Sequence, residues 1–170
     1  MSDLFTEPTL PSISSRLRLG TMLLDHALIC FVFLAPIILI QHFVFPERQN
    51  DATLKYWMAP VFVIYFCKDC FGGRSLAKRK LKLVVVDNKS YVTSTPIQSV
   101  LRNLSIVIWP IEVLVSLFDQ ERRLGDRLAG TKLARFHDEI PQNNSTVLQF
   151  LGAVLIASLF TALLFMIPLY

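Results

Sequence analysis

Charge is scarce in this chain. Only 18% of its residues are Asp, Glu, Lys or Arg, against 53% hydrophobic, and the mean hydropathy is +0.49. That balance excludes an ordinary soluble domain and points to a small membrane protein. Catalytic signatures are missing as well. There is no GxSxG, no HExxH and no Walker-type loop, because Gly72-Gly73-Arg74-Ser75 lacks the spacing that cradles a phosphate. An enzyme is therefore not expected, and no cofactor is. Internal repeats and low-complexity tracts are absent. A secretory leader is not expected, since the first apolar run is too long for one and has no small-residue cleavage site. The basic segments carry no interleaved aromatic residues, so no nucleic-acid surface is expected.

What is present is a set of long apolar runs. The first, 15–40, exceeds the roughly 20 residues that cross a bilayer. Its helix is expected to reach Phe45, kinked near Pro36, with Pro46 and a polar loop after it. Residues 1–14 read as a flexible tail. A second run covers 56–71, with Tyr56 and Trp57 as an interfacial aromatic belt and Gly72-Gly73 as its stop. The run 104–118 contains Pro110 and Glu112 and is short for a span. It reads as a kinked crossing helix or as a helical hairpin that dips in and returns. Val147 to Tyr170 carries no charge and is the cleanest spanning signal, joined by a linker at 137–146.

Two segments lie between the runs. Residues 81–87 are rich in valine and read as a strand, followed by turn chemistry at Asp87-Asn88-Lys89-Ser90 and a short return at 91–93. Residues 131–136 read as a second strand. An open sheet edge does not face hydrocarbon, so this β element belongs outside the lipid.

Basic residues set the orientation. Segment 68–102 holds Lys68, Arg74, Lys78, Arg79, Lys80, Lys82, Lys89 and Arg102, and segment 119–146 holds Arg122, Arg123, Arg127, Lys132 and Arg135. Both belong in the cytoplasm with the N-terminus, which requires 96–118 to enter and leave on one side. The expected fold is an all-α membrane protein with three transmembrane helices, a kinked re-entrant or interfacial helical hairpin at 96–118, and a small cytoplasmic β element. Strand 81–87 is expected to pair with strand 131–136, and the C-terminus to lie on the far side of the cell membrane.

Two charges stand out in the first run. Arg18 lies at its entrance and Asp25 inside it. Seven residues apart, they share one helix face, with Asp25 about 10 Å deeper. A carboxylate at that depth costs about 2.5–3.5 kcal/mol on insertion scales and usually faces protein or water. Asp25 is either structural glue between helices or a site for a ligand, ion or proton. Arg74, Lys78, Arg79, Lys80 and Lys82 serve as positive-inside signals and as candidates for anionic lipid head groups. Cys67-Lys68-Asp69-Cys70 forms a CxxC, and His26 and Cys30 share a helix face. Antiparallel spans place Cys30 about 15 Å deeper than Cys70, so no metal site is expected and the thiols read as packing groups.

Taken with GRSLAKRKLKLVVVD (73–87), Arg102 and DQERRLGDRLAGTKL (119–133), these residues resemble the RDD family of small multi-pass membrane proteins. The family is named for one arginine and two aspartates, and the resemblance covers 16–135 within a membrane domain at 15–136. It departs from the family at Ala77, where glycine is usual, and at Asn88-Lys89. The final helix, 147–170, lies beyond the shared core. By this resemblance Arg18, Asp25 and Asp126 are the name-giving residues, with Lys78, Arg102 and Asp119 in support. It also implies a transport role, with cation/proton exchange for some members. An Arg18–Asp126 pair is expected near the cytoplasmic face, leaving Asp25 deeper and more desolvated. The alternative is a non-transporting scaffold or assembly partner in which the same residues are glue. A pathway through three spans needs several copies, so a homo-oligomer or a membrane-protein partner is expected.

Overall fold

In a computed structural model of the chain, residues 13–46, 51–118 and 122–166 are described. Residues 1–12 of the expected 1–14 tail, loop residues 47–50, residues 119–121 with Asp119, and the last four residues lie outside them, whereas Ile13 is buried and Ser14 caps the first helix. The described chain is mostly helical. The first helical run comprises α1 (Ser15–Ile29), a π-helical turn (Cys30–Leu34) and α2 (Ala35–Val44). Ser14 caps it, its hydroxyl accepting from the Leu17 amide at 3.4 Å. The π turn precedes Pro36. A proline clashes with the carbonyl four residues back, and widening the helix there lets the Ala35 amide reach Cys30 instead.

Next come α3 (Asp51–Cys67), α4 (Leu76–Lys80), β1 (Leu83–Asp87) and α5 (Pro96–Leu104). A 3₁₀ turn (Ser105–Ile108) leads into α6 (Trp109–Phe118), and α7 (Leu124–Ala129), β2 (Thr131–Arg135) and α8 (Val147–Met166) follow. Three helical runs are long and apolar enough to cross a bilayer, namely Ser15–Val44, Pro96–Val115 and Val147–Met166. This differs from the expected division. The second run stops as helix at Cys67, leaving an apolar stretch of only Tyr56–Cys67, because residues 68–73 turn away to form a loop.

The hairpin expected over 96–118 takes another form. The backbone stays right-handed helical through Leu104, Ser105 and Trp109, so α5, the 3₁₀ turn and α6 make one unbroken run. Pro110 sits at the second position of α6, where its missing amide breaks little of the ladder. No reversal falls within 96–118. Arg123 then meets Glu112, and Asp126 meets Arg102, so the chain travels back alongside the helix it has left.

The strands pair as the sequence predicts. β1 and β2 are antiparallel, with Leu83 opposite Arg135 and Asp87 opposite Thr131. The expected return at 91–93 is reduced to one bridge between Val86 and Thr93. Val84, Val85 and Val86 are all fully buried, which explains a valine run that does not alternate with polar residues. The main apolar core lies between α3, α5 and α8, around Phe66, Val100, Ala153 and Ala157. On α8 the small residues Ala153, Ala157 and Thr161 recur every fourth position and are buried, which lets that helix approach closely.

Candidate functional site

A layer of buried charge joins the apolar helices to the sheet. It begins at Asp25, 3% exposed on α1. Its Oδ2 accepts from the Ser75 hydroxyl at 2.8 Å and from the Lys78 ammonium at 3.0 Å. Ser75 is also the N-cap of α4, accepting from the Lys78 amide at 3.3 Å, so one hydroxyl sets both the helix start and the carboxylate. Lys78 further donates to both oxygens of Asp69, at 2.8 and 3.1 Å. Lys68 approaches Asp25 more loosely, at 3.9 Å, with its ammonium 3.9 Å above the Tyr65 ring centroid.

The loop 68–73 makes this convergence possible. Gly73 has φ +67° and accepts the Val85 amide at 2.9 Å. A Cβ there would strike the Val85 carbonyl oxygen, so only glycine lets the loop lie on β1. That contact points Ser75 and α4 back at Asp25.

A second cluster sits beside the first. Arg102 pairs with Asp126 at 2.7 Å, and Thr131 donates to the same Asp126 oxygen at 3.3 Å. Arg123 lies 3.5 Å from Glu112 and 3.8 Å from Asp126. Ser105 donates to Glu112 at 2.8 Å. Asn103 bridges the clusters: its amide nitrogen donates to Asp69 at 3.4 Å, and its oxygen accepts from Arg123 at 3.4 Å. Lys68, Lys78, Arg102 and Arg123 thus face Asp25, Asp69, Glu112 and Asp126, four charges against four.

Burial and pairing compete at each group. Burial raises the Asp69 carboxyl, but the charges of Lys78, Arg102 and Lys68 outweigh it and hold Asp69 well below the usual carboxylate range. For Lys78, burial wins over Asp69 and Asp25, and its ammonium titrates below an ordinary lysine. Burial likewise pulls Lys68 down to about 8, against the opposing pull of Asp25 and Asp69. Arg123 moves the other way, because Asp126 and Glu112 overcome its burial.

Arg18, Asp25, Lys78, Arg102 and Asp126 are buried, but two expected relations change. Arg18 is 3% exposed and donates to the Ile13 carbonyl at 3.2 Å. The Arg18–Asp126 pair is not among the ion pairs of the described residues. Asp126 is taken by Arg102 and Arg123, which α5 and the turn into α7 bring closer. Lys78 was expected among the lipid-facing cations; with its ammonium locked between two carboxylates it is 3% exposed. Arg74 stacks on Phe136 at 3.8 Å, while Arg79, Lys80 and Lys82 are exposed.

Sequence reasoning left Lys68, Asp69, Ser75, Asn103, Glu112 and Arg123 out of the site. The signal for Glu112 was the one used for Asp25, an acid inside an apolar run. Lys68-Asp69 carried a weaker one, a charged pair at the end of a run. Among the described residues no three of His, Cys, Asp and Glu converge as metal ligands. His26 and Cys30 touch at 3.6 Å, and the Cys70 amide closes a turn onto the Cys67 carbonyl at 3.0 Å. Comparison with family models, curated proteins and solved structures finds no match to the chain.

Proposed function

We propose that this chain is an integral membrane protein related to the RDD family, acting in transport of the cation/proton exchange type. The observation that carries the reading is Lys68 beside Asp25. A lysine titrating at about 8 loses its proton near physiological pH, and it shares its carboxylate with the more tightly held Lys78. When Lys68 is protonated, Asp25 is neutralised by two ammoniums. When the proton leaves, part of that compensation goes, and a small cation has a carboxylate to bind. Proton and cation then compete for one site, which is the elementary requirement of exchange. Three spans enclose little volume, so the pathway belongs to a homo-oligomer or to a complex with another membrane protein.

The return of α7 along the 96–118 run supports placing that run as a re-entrant or interfacial helix. Arg102 and Asp126, and β1 and β2, then share the cytoplasmic side, with α1–α2 and α8 as full-length spans and α3 as a third, in which residues 51–55 extend the short apolar stretch Tyr56–Cys67. In a cysteine-free background, Asn88→Cys and Asp138→Cys are both expected to resist an impermeant thiol reagent added outside intact cells. Labelling of Asp138→Cys without Asn88→Cys would discard this topology.

The charge balance of the layer favours a second reading, a static scaffold in which the same residues clamp helices to the sheet. Reconstituted vesicles separate the two. Exchange predicts cation flux driven by a pH gradient, rising through about pH 8 in step with Lys68, lost in Asp25→Asn and stripped of its pH dependence in Lys68→Met. Inserted, folded protein with no flux above empty vesicles supports the scaffold.

Stability gives a second readout on the same lysine. Its folded value lies near 8 and its ordinary value at 10.5, so between these limits the unfolded chain binds more protons. Folding stability contributed by this group therefore rises with pH over that window. The thermal midpoint in detergent is expected to climb more from pH 8 to 10 in the wild type than in Lys68→Met.

A further inference from the structure

A cavity of about 480 Å³ opens where the loop after α3, the helix α4 and the start of α8 meet. Its walls are of two kinds. Phe71, Val147 and Phe150 supply an apolar floor, with the Phe71 and Phe150 rings 5.1 Å apart. Arg79, Ser145 and Thr146 supply a cation and two hydroxyls at the rim. Arg79 is exposed and spends one contact on the Phe71 carbonyl, at 3.3 Å, which holds its side chain over the opening. On the side of the loop and α4 the exposed charge is of one sign. Lys80 and Lys82 are also exposed, and the only acid between 68 and 86, Asp69, is buried against Lys78.

We infer that this cavity binds one anionic phospholipid, with the phosphate at Arg79, Ser145 and Thr146 and the first acyl carbons against Phe71, Val147 and Phe150. The two-part chemistry argues for an amphiphile over a small anion. A free phosphate has no use for the two aromatic rings, and a zwitterionic lipid brings its own cation to a site that already holds Arg79. The cavity also lies at the first residues of α8, the level at which a head group meets hydrocarbon if α8 spans. This refines the broad basic surface read from the sequence into a site with one principal cation. It rests on the proposed membrane placement.

The test uses the full chain in detergent, titrated with phosphatidylglycerol or phosphatidylcholine and read by native mass spectrometry. The expected result is one phosphatidylglycerol per chain, bound in preference to phosphatidylcholine. Arg79→Gln is expected to weaken it about fivefold or more, the scale of one basic residue near anionic lipid. The double change Lys80→Gln/Lys82→Gln is expected to leave it nearly unchanged. Ser145→Trp, which fills the rim without altering charge, is expected to expel the lipid while the thermal midpoint is kept. A large excess of inorganic phosphate is not expected to compete; displacement by phosphate would reassign the site to a free anion and overturn the proposal. A larger loss in the double variant than in Arg79→Gln would return the binding to a diffuse basic surface. Failure of the chain to enter micelles or neutral vesicles would overturn the membrane reading itself. Entry without lipid preference would overturn only the site.

Discussion

Lys78→Met is expected to be the most damaging single change within the charge layer. The ammonium it removes touches Asp25 at 3.0 Å, Asp69 at 2.8 and 3.1 Å, and the Ser75 hydroxyl at 3.3 Å. Methionine fits the volume but leaves two carboxylates out of water. Asp25 would keep Ser75 and the distant Lys68, and Asp69 would keep a long hydrogen bond to Asn103 and the more distant charges of Arg102 and Lys68. Breaking a buried pair from one side costs about 3–5 kcal/mol. For a chain of this length that is a fall of about 10 °C or more in the thermal midpoint, measured in detergent. Adding Asp69→Asn should restore part of the loss, because the double variant removes one of the orphaned charges. Full wild-type stability in Lys78→Met would mean that the layer holds nothing together.

Gly125→Ala is expected to disrupt the other cluster. Gly125 is buried at the start of α7, and a Cβ there would land on the Arg102 carbonyl oxygen and the Ser105 hydroxyl. Neither can yield cheaply, since one is backbone and the other donates to Glu112 at 2.8 Å. The helices α5 and α7 must separate, and with them Arg102 and Asp126. Overpacking alone costs about 1–3 kcal/mol, and the broken ion pair adds to it. The expected result is a loss of folded, monodisperse protein in detergent, or a fall of about 10 °C where it survives. Gly20→Ala is the control. Nothing lies within 4 Å of its Cβ on α1, so the change should be neutral or slightly stabilising, by up to about 1 kcal/mol. Equal behaviour of the two variants would show that the α5–α7 approach is not tight.

Acidification offers a milder perturbation of the same layer. Asp69 titrates well below its ordinary value, so its contribution to stability is present above about pH 4 and is lost as pH falls through its folded value.

Much of the framework was legible in the chain. Apolar runs report helices because a buried or lipid-facing helix has to be apolar over its length; the runs read as 15–45 and 147–170 are helical over Ser15–Val44 and Val147–Met166. The strand pair was legible because Leu83–Asp87 and Thr131–Arg135 fall in β-prone stretches between runs, and the two do pair. The extent of α3 was not legible. Apolar character continues to Phe71, but the backbone leaves the helix at Cys67, and what draws it away is the contact of Gly73 with Val85 on β1.

By itself the sequence determined that two acids, Asp25 and Glu112, had to be buried. Asp25 and Glu112 lie inside apolar runs, and a carboxylate there is too costly to leave facing lipid, so each needed a protein partner. Which partner it took was decided only by the tertiary structure. Their shared placement near the basic side suggested Arg18 with Asp126, since sequence gives a side and a distance along a helix but not its rotation or its neighbours. The fold turned Gly73 onto Val85, swung α4 under α1 and set Lys78 between Asp25 and Asp69. It brought α7 close enough to α5, through Gly125, for Arg102 to claim Asp126. Ion pairing falls off within a few ångströms in a shielded interior, so these small approaches, made by residues far apart in the chain, chose the pairs.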